Sequence, residues 1–307
     1  MLHITEEQVL RGLTMQKAIE LVDRSFRQLA DGTAINHPRR RVVLPTGSIL
    51  HYMAAGTPEY FGAKIYSTNP KTGAHFQVLL YRSDNGLQVA NIEANHLGQI
   101  RTGAASGVAT KYLAREDAGT LGIIGSGFQA ETQVAAMSAV RNLREVRVWS
   151  RQPERRNAFA KRCAQKFDLN VRAMETARDA VEGMGIVVTA TGSKEPVLES
   201  SWISRGTHIN AMGSNWTIKR ELPTDLVLDR ADVVAVDSIE DAYLESGDLT
   251  IPLQERPGAA FPAIELCDVI AGNTAGRTTA DQLTIFKSNG LAAQDIAVAG
   301  YLMSVYS

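Results

Sequence analysis

The period of the apolar positions changes along the chain, and each change predicts a different kind of element. After Thr14, residues Ile19, Val22, Phe26 and Leu29 recur at helical spacing, and Asp31-Gly32 closes the stretch, so one capped amphipathic helix is expected there. From Arg41 to Glu93 the pattern shortens to the β-rich runs RVVL, ILHYMAA, FGAKIYS, HFQVLLYR and LQVANIE. Turn residues separate them at Thr46-Gly47, Asn69-Pro70 and Asp84-Asn85-Gly86, which predicts an antiparallel meander. Residues 99–115, QIRTGAASGVATKYLAR, predict a helix of small residues with Arg101-Thr102 at its start.

From residue 120 strands and helices alternate. TLGIIGSGFQAETQ runs from an apolar strand through a tight glycine turn into a helix, the setting in which G-x-G-x-x-G/A signals dinucleotide binding. Gly125 permits the turn, Gly127 admits a pyrophosphate, and Ala130 packs helix on strand; Ser126, Phe128 and Gln129 complete the loop. The phosphates would meet the free N–H groups and positive dipole end of the helix. A second strand, VRVWSR at 146–151, follows, then a helix from Glu154 to Phe167, a strand near Val171, a helix near Asp179, and strands at 185–191, 207–211 and 232–237. Such alternation builds a parallel sheet covered on both faces. Thr189, Ala190 and Thr191 end a strand, the edge where such sheets bind ligands, and are assigned to the nicotinamide side.

The end of the second strand bears on the cofactor. A dinucleotide fold reads the ribose 2′-OH with an acid there and accommodates a 2′-phosphate with an arginine. This chain has Ser150-Arg151, with no acid before Glu154, which favours NADP(H) over NAD(H).

Composition narrows the class. At 307 residues and 44% hydrophobic content the chain can build about two cores. Its 32 basic and 33 acidic side chains create no field that would recruit nucleic acid or an anionic membrane. No apolar run is long enough to span a bilayer, the N-terminus lacks a signal-peptide pattern, and Cys163 and Cys267 form no CxxC pair, so a cytoplasmic protein with reduced cysteines is expected. The six histidines show no metal spacing, and neither a phosphate-binding P-loop nor a nucleophile elbow is present; His75, just before a strand, is the histidine nearest the expected substrate face. No metal is expected.

Candidate substrate residues are cationic. Lys64 lies mid-strand on the face shared with Gly62 and Tyr66, either as a solvated lysine or as a cation for a carboxylate or a proton donor to nitrogen. Arg39-Arg40-Arg41 after Pro38 is a solvated loop or an anion clamp. Arg101 at a helix start opposes the dipole, which a nearby anion would offset.

Taken together, the Lys64 strand with Asn69-Pro70, QIRTGAASGVATKYLA, IIGSGFQAETQ, VWSR, INAMGSN with KREL, and GRTTADQLTIFKSNGLAAQD resemble the ornithine cyclodeaminase and mu-crystallin family along nearly the whole chain. The resemblance implies a Rossmann domain, residues 114–279, inserted into an α+β antiparallel substrate and dimerisation domain, residues 1–113 completed by 280–307. It implies a homodimer, and an amino-acid carboxylate held by Arg40, Lys64 and Arg101 beside a nicotinamide that Met212 and Gly213 help to bind. The Ser150-Arg151 pair is similar to the NADPH-binding mu-crystallin branch. Where cyclodeaminases and related alanine dehydrogenases carry an aspartate, this chain has Asn215, and an amide cannot act as a general base. The expected activity is therefore NAD(P)H-dependent reduction of a small ketimine or imino acid, such as 1-pyrroline-2-carboxylate, to an L-amino acid. Ornithine cyclisation with loss of ammonia and non-catalytic NADPH binding are the alternatives.

Overall fold

The computed structural model describes residues 1–307. They form two compact units, residues 1–104 with 290–307, and residues 105–289. The first unit opens with β1 (Leu2–Ile4), α1 (Glu6–Gly12) and α2 (Met15–Ala30). On α2 the Thr14 hydroxyl accepts from the Lys17 N–H at 3.2 Å, and Ile19, Val22 and Phe26 are buried as their spacing predicts. The meander follows as β2 (Ile35–Val43), β3 (Ile49–Gly56), β4 (Tyr60–Asn69), β5 (Gly73–Arg82) and β6 (Gln88–Glu93). These strands pair antiparallel in sequence order, and β1 adds to the far edge parallel to β6.

Helix α3 (Asn95–Leu113) then carries the chain out of the first unit. It begins one turn earlier than the sequence suggests. The Glu6 carboxylate accepts from the N–H groups of Asn95 at 2.6 Å and His96 at 2.9 Å, supplying a cap from 89 residues away. Arg101 is consequently in the second turn of α3, and the unfavourable dipole placement inferred from the sequence does not arise.

The second unit contains β7 (Thr120–Ile124), α4 (Phe128–Val140), β8 (Glu145–Trp149), α5 (Pro153–Phe167), β9 (Val171–Ala173), α6 (Ala177–Val181), β10 (Ile186–Thr189) and β11 (His208–Ala211). It continues through β12 (Val233–Val236), α7 (Ile239–Glu245), α8 (Gly247–Glu255), β13 (Ala263–Glu265), α9 (Leu266–Ala271) and β14 (Thr284–Lys287). The eight strands are ordered β13-β12-β14-β11-β10-β7-β8-β9, and every neighbouring pair is parallel. Strands β10, β11, β12 and β14 are buried along their whole length, as a sheet covered on both faces requires. The chain reverses its winding between β7 and β10, which makes this a Rossmann-type doubly wound sheet with its switch point at that pair.

The last helix, α10 (Ala292–Tyr306), belongs to the first unit, where residues 292–300 are buried against the sheet and α2. Residues 280–289, grouped with the terminal segment from the sequence, lie instead in the second unit. A four-residue buried run such as TIFK carries no period to distinguish a strand from a helical turn. No helix is long and apolar enough to cross a membrane.

Candidate functional site

Two separate constellations emerge, one in each unit. In the first unit Lys64 projects from the middle of β4, Arg101 from the second turn of α3, and Asp295 from the first turn of α10. All three are buried, Asp295 completely. Lys64 Nζ donates to Asp295 Oδ1 at 2.8 Å, and Arg101 Nε donates to the same oxygen at 3.1 Å. Arg101 Nη1 donates to Gln294 Oε1 at 3.1 Å, while Nη2 meets no acceptor in the protein. Asp295 Oδ2 is buried and accepts no hydrogen bond. Two buried cations thus share one carboxylate oxygen, and each keeps donors to spend.

Burial pushes the Lys64 ammonium down from the usual lysine range to about 8; the Asp295 charge opposes that shift, and Arg101 and Arg39 add to it. The arginine triplet divides accordingly. A bulge between His37 and Arg40 interrupts the alternation of β2, so Pro38 and Arg39 are both buried. Arg39 Nη2 lies 3.5 Å from the Gly290 carbonyl and 3.7 Å from Met53 Sδ, held by internal contacts. Arg40 is exposed and donates only to the Arg39 carbonyl, at 3.4 Å, leaving most of its guanidinium edge to solvent. Thr102 makes a 2.6 Å bond back to the Gly98 carbonyl within α3. His75 is exposed and lines a separate cavity of about 530 Å³ with Tyr66, Phe76 and Glu93.

In the second unit the glycine turn sits at the switch point. Gly125 has φ +118°, and a Cβ there would lie 2.4 Å from the Ala190 carbonyl, so only glycine lets the end of β7 approach the end of β10. Gly127 is the N-cap of α4, has no side-chain cap, and a Cβ there would meet nothing within 4 Å. That open space in front of uncapped helical N–H groups fits a pyrophosphate. Ala130 is fully buried, whereas Phe128 is half exposed. Ser126 Oγ donates to Ser150 Oγ at 2.8 Å, tying the turn to the end of β8. Beyond it Arg151 is exposed and engages no protein group. Thr189 ends β10 and Ala190 and Thr191 follow it, while Met212, Gly213 and Asn215 follow β11, on the carboxyl side of the sheet as the sequence predicts.

The sequence reading overlooked Asp295, Gln294 and Glu221. Asp295 carried a local signal, being the one carboxylate in the apolar terminal helix AAQDIAVAGYLMSVY. Glu221 had none, because its partners Thr189, Thr191 and Gly213 come from a strand end and loops that meet only in the fold.

A doubly wound sheet with a glycine turn and open space before a helix N-terminus at its switch point, in a chain that also buries a lysine–arginine pair, is the setting of a nicotinamide-dinucleotide oxidoreductase. The chain belongs to the ornithine cyclodeaminase/mu-crystallin family, whose model matches residues 2–306. It is 39% identical over 264 residues to the Delta(1)-pyrroline-2-carboxylate reductase of Bacillus cereus, covering 84% of this chain and 80% of that protein. It superposes with TM-score 0.92 on the Thermococcus litoralis Delta(1)-pyrroline-2-carboxylate reductase in complex with NADH and L-proline, at 34% identity, covering 99% and 97% of the two chains. An archaeal alanine dehydrogenase dimer with bound NAD also superposes with TM-score 0.92, at 29% identity, covering 99% and 95%.

Gly127→Ala is expected to leave thermal stability within about 1 kcal/mol of wild type, since the added methyl meets no atom. It should weaken NADH binding about tenfold or more by filling the pyrophosphate space. Calorimetric titration checks this, and unchanged affinity would show that the dinucleotide does not use the turn.

Proposed function

We propose that this protein reduces a small imine bearing a carboxylate, with 1-pyrroline-2-carboxylate as the leading substrate, to the corresponding L-amino acid. The observation that carries the reading is the buried Lys64–Arg101 pair sharing Asp295 Oδ1 while retaining unspent donors. Such a pair favours an anion, and Arg101 Nη2 offers a guanidinium edge to a carboxylate. Arg40 is the second carboxylate cation, because Arg39 is committed to internal contacts. A reduced nicotinamide, when bound, would supply the hydride for the imine carbon. Lys64, whose pKa near 8 leaves it protonated at neutral pH yet able to release a proton, gives that proton to the imine nitrogen. Asp295 holds Lys64 in place and stabilises its charged form. The relatives that carry NADH with L-proline or NAD support this chemistry. Asn215 can donate or accept a hydrogen bond but cannot take a proton as a base, which disfavours ornithine cyclisation.

A proton donor must be protonated, so kcat/KM for imine reduction is expected to be flat at neutral pH and to fall about tenfold per unit above pH 8. Lys64→Met should lower kcat by about two to four orders of magnitude at every pH. Asp295→Asn, which removes the charge that raises the Lys64 pKa, should move the alkaline limb below pH 8. Absence of turnover with a panel of cyclic and acyclic imino acids would overturn the reading, and ammonia release from L-ornithine without net cofactor reduction would replace it with cyclodeamination.

For the cofactor we infer a preference for NADP(H), carried by the exposed, unengaged Arg151 and the lack of an acid at the end of β8. Arg151→Ala should then cut kcat/KM with NADPH about tenfold or more and leave NADH within about twofold. Equal use of the two coenzymes by wild type would refute the preference.

The exposed apolar side chains Ile35, Val42, Leu50, Tyr52 and Phe61, which share one face of β2, β3 and β4, support a homodimer formed through the antiparallel sheet. Light scattering should give about twice the 33.3 kDa chain mass, and Tyr52→Glu should shift it toward the monomer. A monomeric wild type would remove this assignment.

A further inference from the structure

Among the fully buried charged side chains of the second unit, Glu221, Asp248 and Lys287 form one cluster that neither transfers a proton nor binds the carboxylate. Glu221 Oε2 accepts from Thr189 Oγ1 at 2.9 Å and from the Gly213 N–H at 2.8 Å, and its Oε1 accepts from the Thr191 N–H at 2.6 Å. Asp248 Oδ1 accepts from the N–H groups of Glu221 at 2.6 Å and Leu222 at 2.9 Å, fixing the backbone that carries Glu221. Lys287, at the end of β14, lies 3.2 Å from Asp248 Oδ2 and donates to the Ser214 carbonyl. The loops after β10 and β11 therefore hang from one carboxylate, and the turn leading to Asn215 is pinned at Gly213 by an acid and at Ser214 by a lysine.

We propose that Glu221, Asp248 and Lys287 are positioning residues that give the nicotinamide end of the dinucleotide site its shape, by holding Thr189–Thr191 and Met212–Asn215 in one conformation. The proposal rests on the dinucleotide reading of this unit. Three features carry it. The contacts join the carboxyl ends of β10, β11 and β14, where ligands bind in such sheets, and not their opposite ends. The loops leave no slack, because a Cβ on Gly213 would lie 2.3 Å from the Thr191 backbone and 2.5 Å from Glu221 Oε1. Three buried charges also cost more than an apolar plug of the same volume would, so their presence points to specification of geometry rather than to stability. Burial and the neighbouring Asp248 raise the Glu221 pKa above the usual carboxylate range, and Lys287 opposes the shift.

The experiment compares NADH with ADP-ribose, which lacks the nicotinamide, on wild type, Glu221→Gln and Lys287→Met. Both variants should bind ADP-ribose within twofold of wild type. Bound NADH should lose the blue-shifted emission of a held nicotinamide, and its affinity should fall tenfold or more. Thr189→Val, which removes a single spoke of the network, should show the same change in smaller degree, and Thr189→Ser, which keeps the hydroxyl, should restore wild-type emission. The proposal is overturned if NADH emission and affinity are unchanged in the variants, if NADH and ADP-ribose weaken equally, or if wild type already binds NADH with the emission of free coenzyme. No imine enters this comparison, so a failure of the reductase reading would show only in the turnover assays.

Discussion

One carboxylate, buried on the first turn of the last helix, decides the character of the first unit. Asp295 Oδ1 takes a hydrogen bond from Lys64 and another from Arg101, and all three groups are shielded from water. Removing one partner from such a cluster leaves a buried charge uncompensated, at a cost of about 3–5 kcal/mol. The docking of α10 is therefore more than a matter of apolar packing. It carries the counter-charge that lets a buried lysine on a half-buried strand and a buried arginine in a helix interior sit side by side. The arrangement also remains short of negative charge, with two cations on a single carboxylate.

The second unit solves a different problem with similar means. Its apolar strands pack by burial alone, and a parallel sheet with both faces covered needs nothing else to form. The loops at the carboxyl ends of those strands have no such packing, and Glu221 substitutes for it by accepting from two backbone N–H groups and one hydroxyl. Gly125 makes the complementary contribution by letting β7 and β10 close on each other. Backbone geometry shapes the turn after β7, and a buried ionic network shapes the loops after β10 and β11.

Local patterns were legible and distant partnerships were not. The amphipathic helix at residues 15–30, the meander, the βα alternation and the glycine turn each depend on neighbours within a few positions, so spacing and turn chemistry revealed them. The start of α3 was misplaced because its cap is Glu6, on a different helix. The arginine triplet could not be put in register because a bulge at residues 38–40 overrides strand alternation. Lys64 and Arg101 were recognisable as candidates, but the acid that joins them stands 231 and 194 positions away, respectively, and no period or motif spans such distances. Glu221 is hidden for the same reason.

The shared oxygen of Asp295 also constrains how this sequence can change. Lys64 and Arg101 do not hold independent places, since altering either one changes the hydrogen bonding and charge felt by the other. Replacements at these three positions are expected to be strongly non-additive. Diversification toward new substrates would therefore proceed through the residues that line the pocket walls, while this charged knot passes unchanged from one specificity to the next.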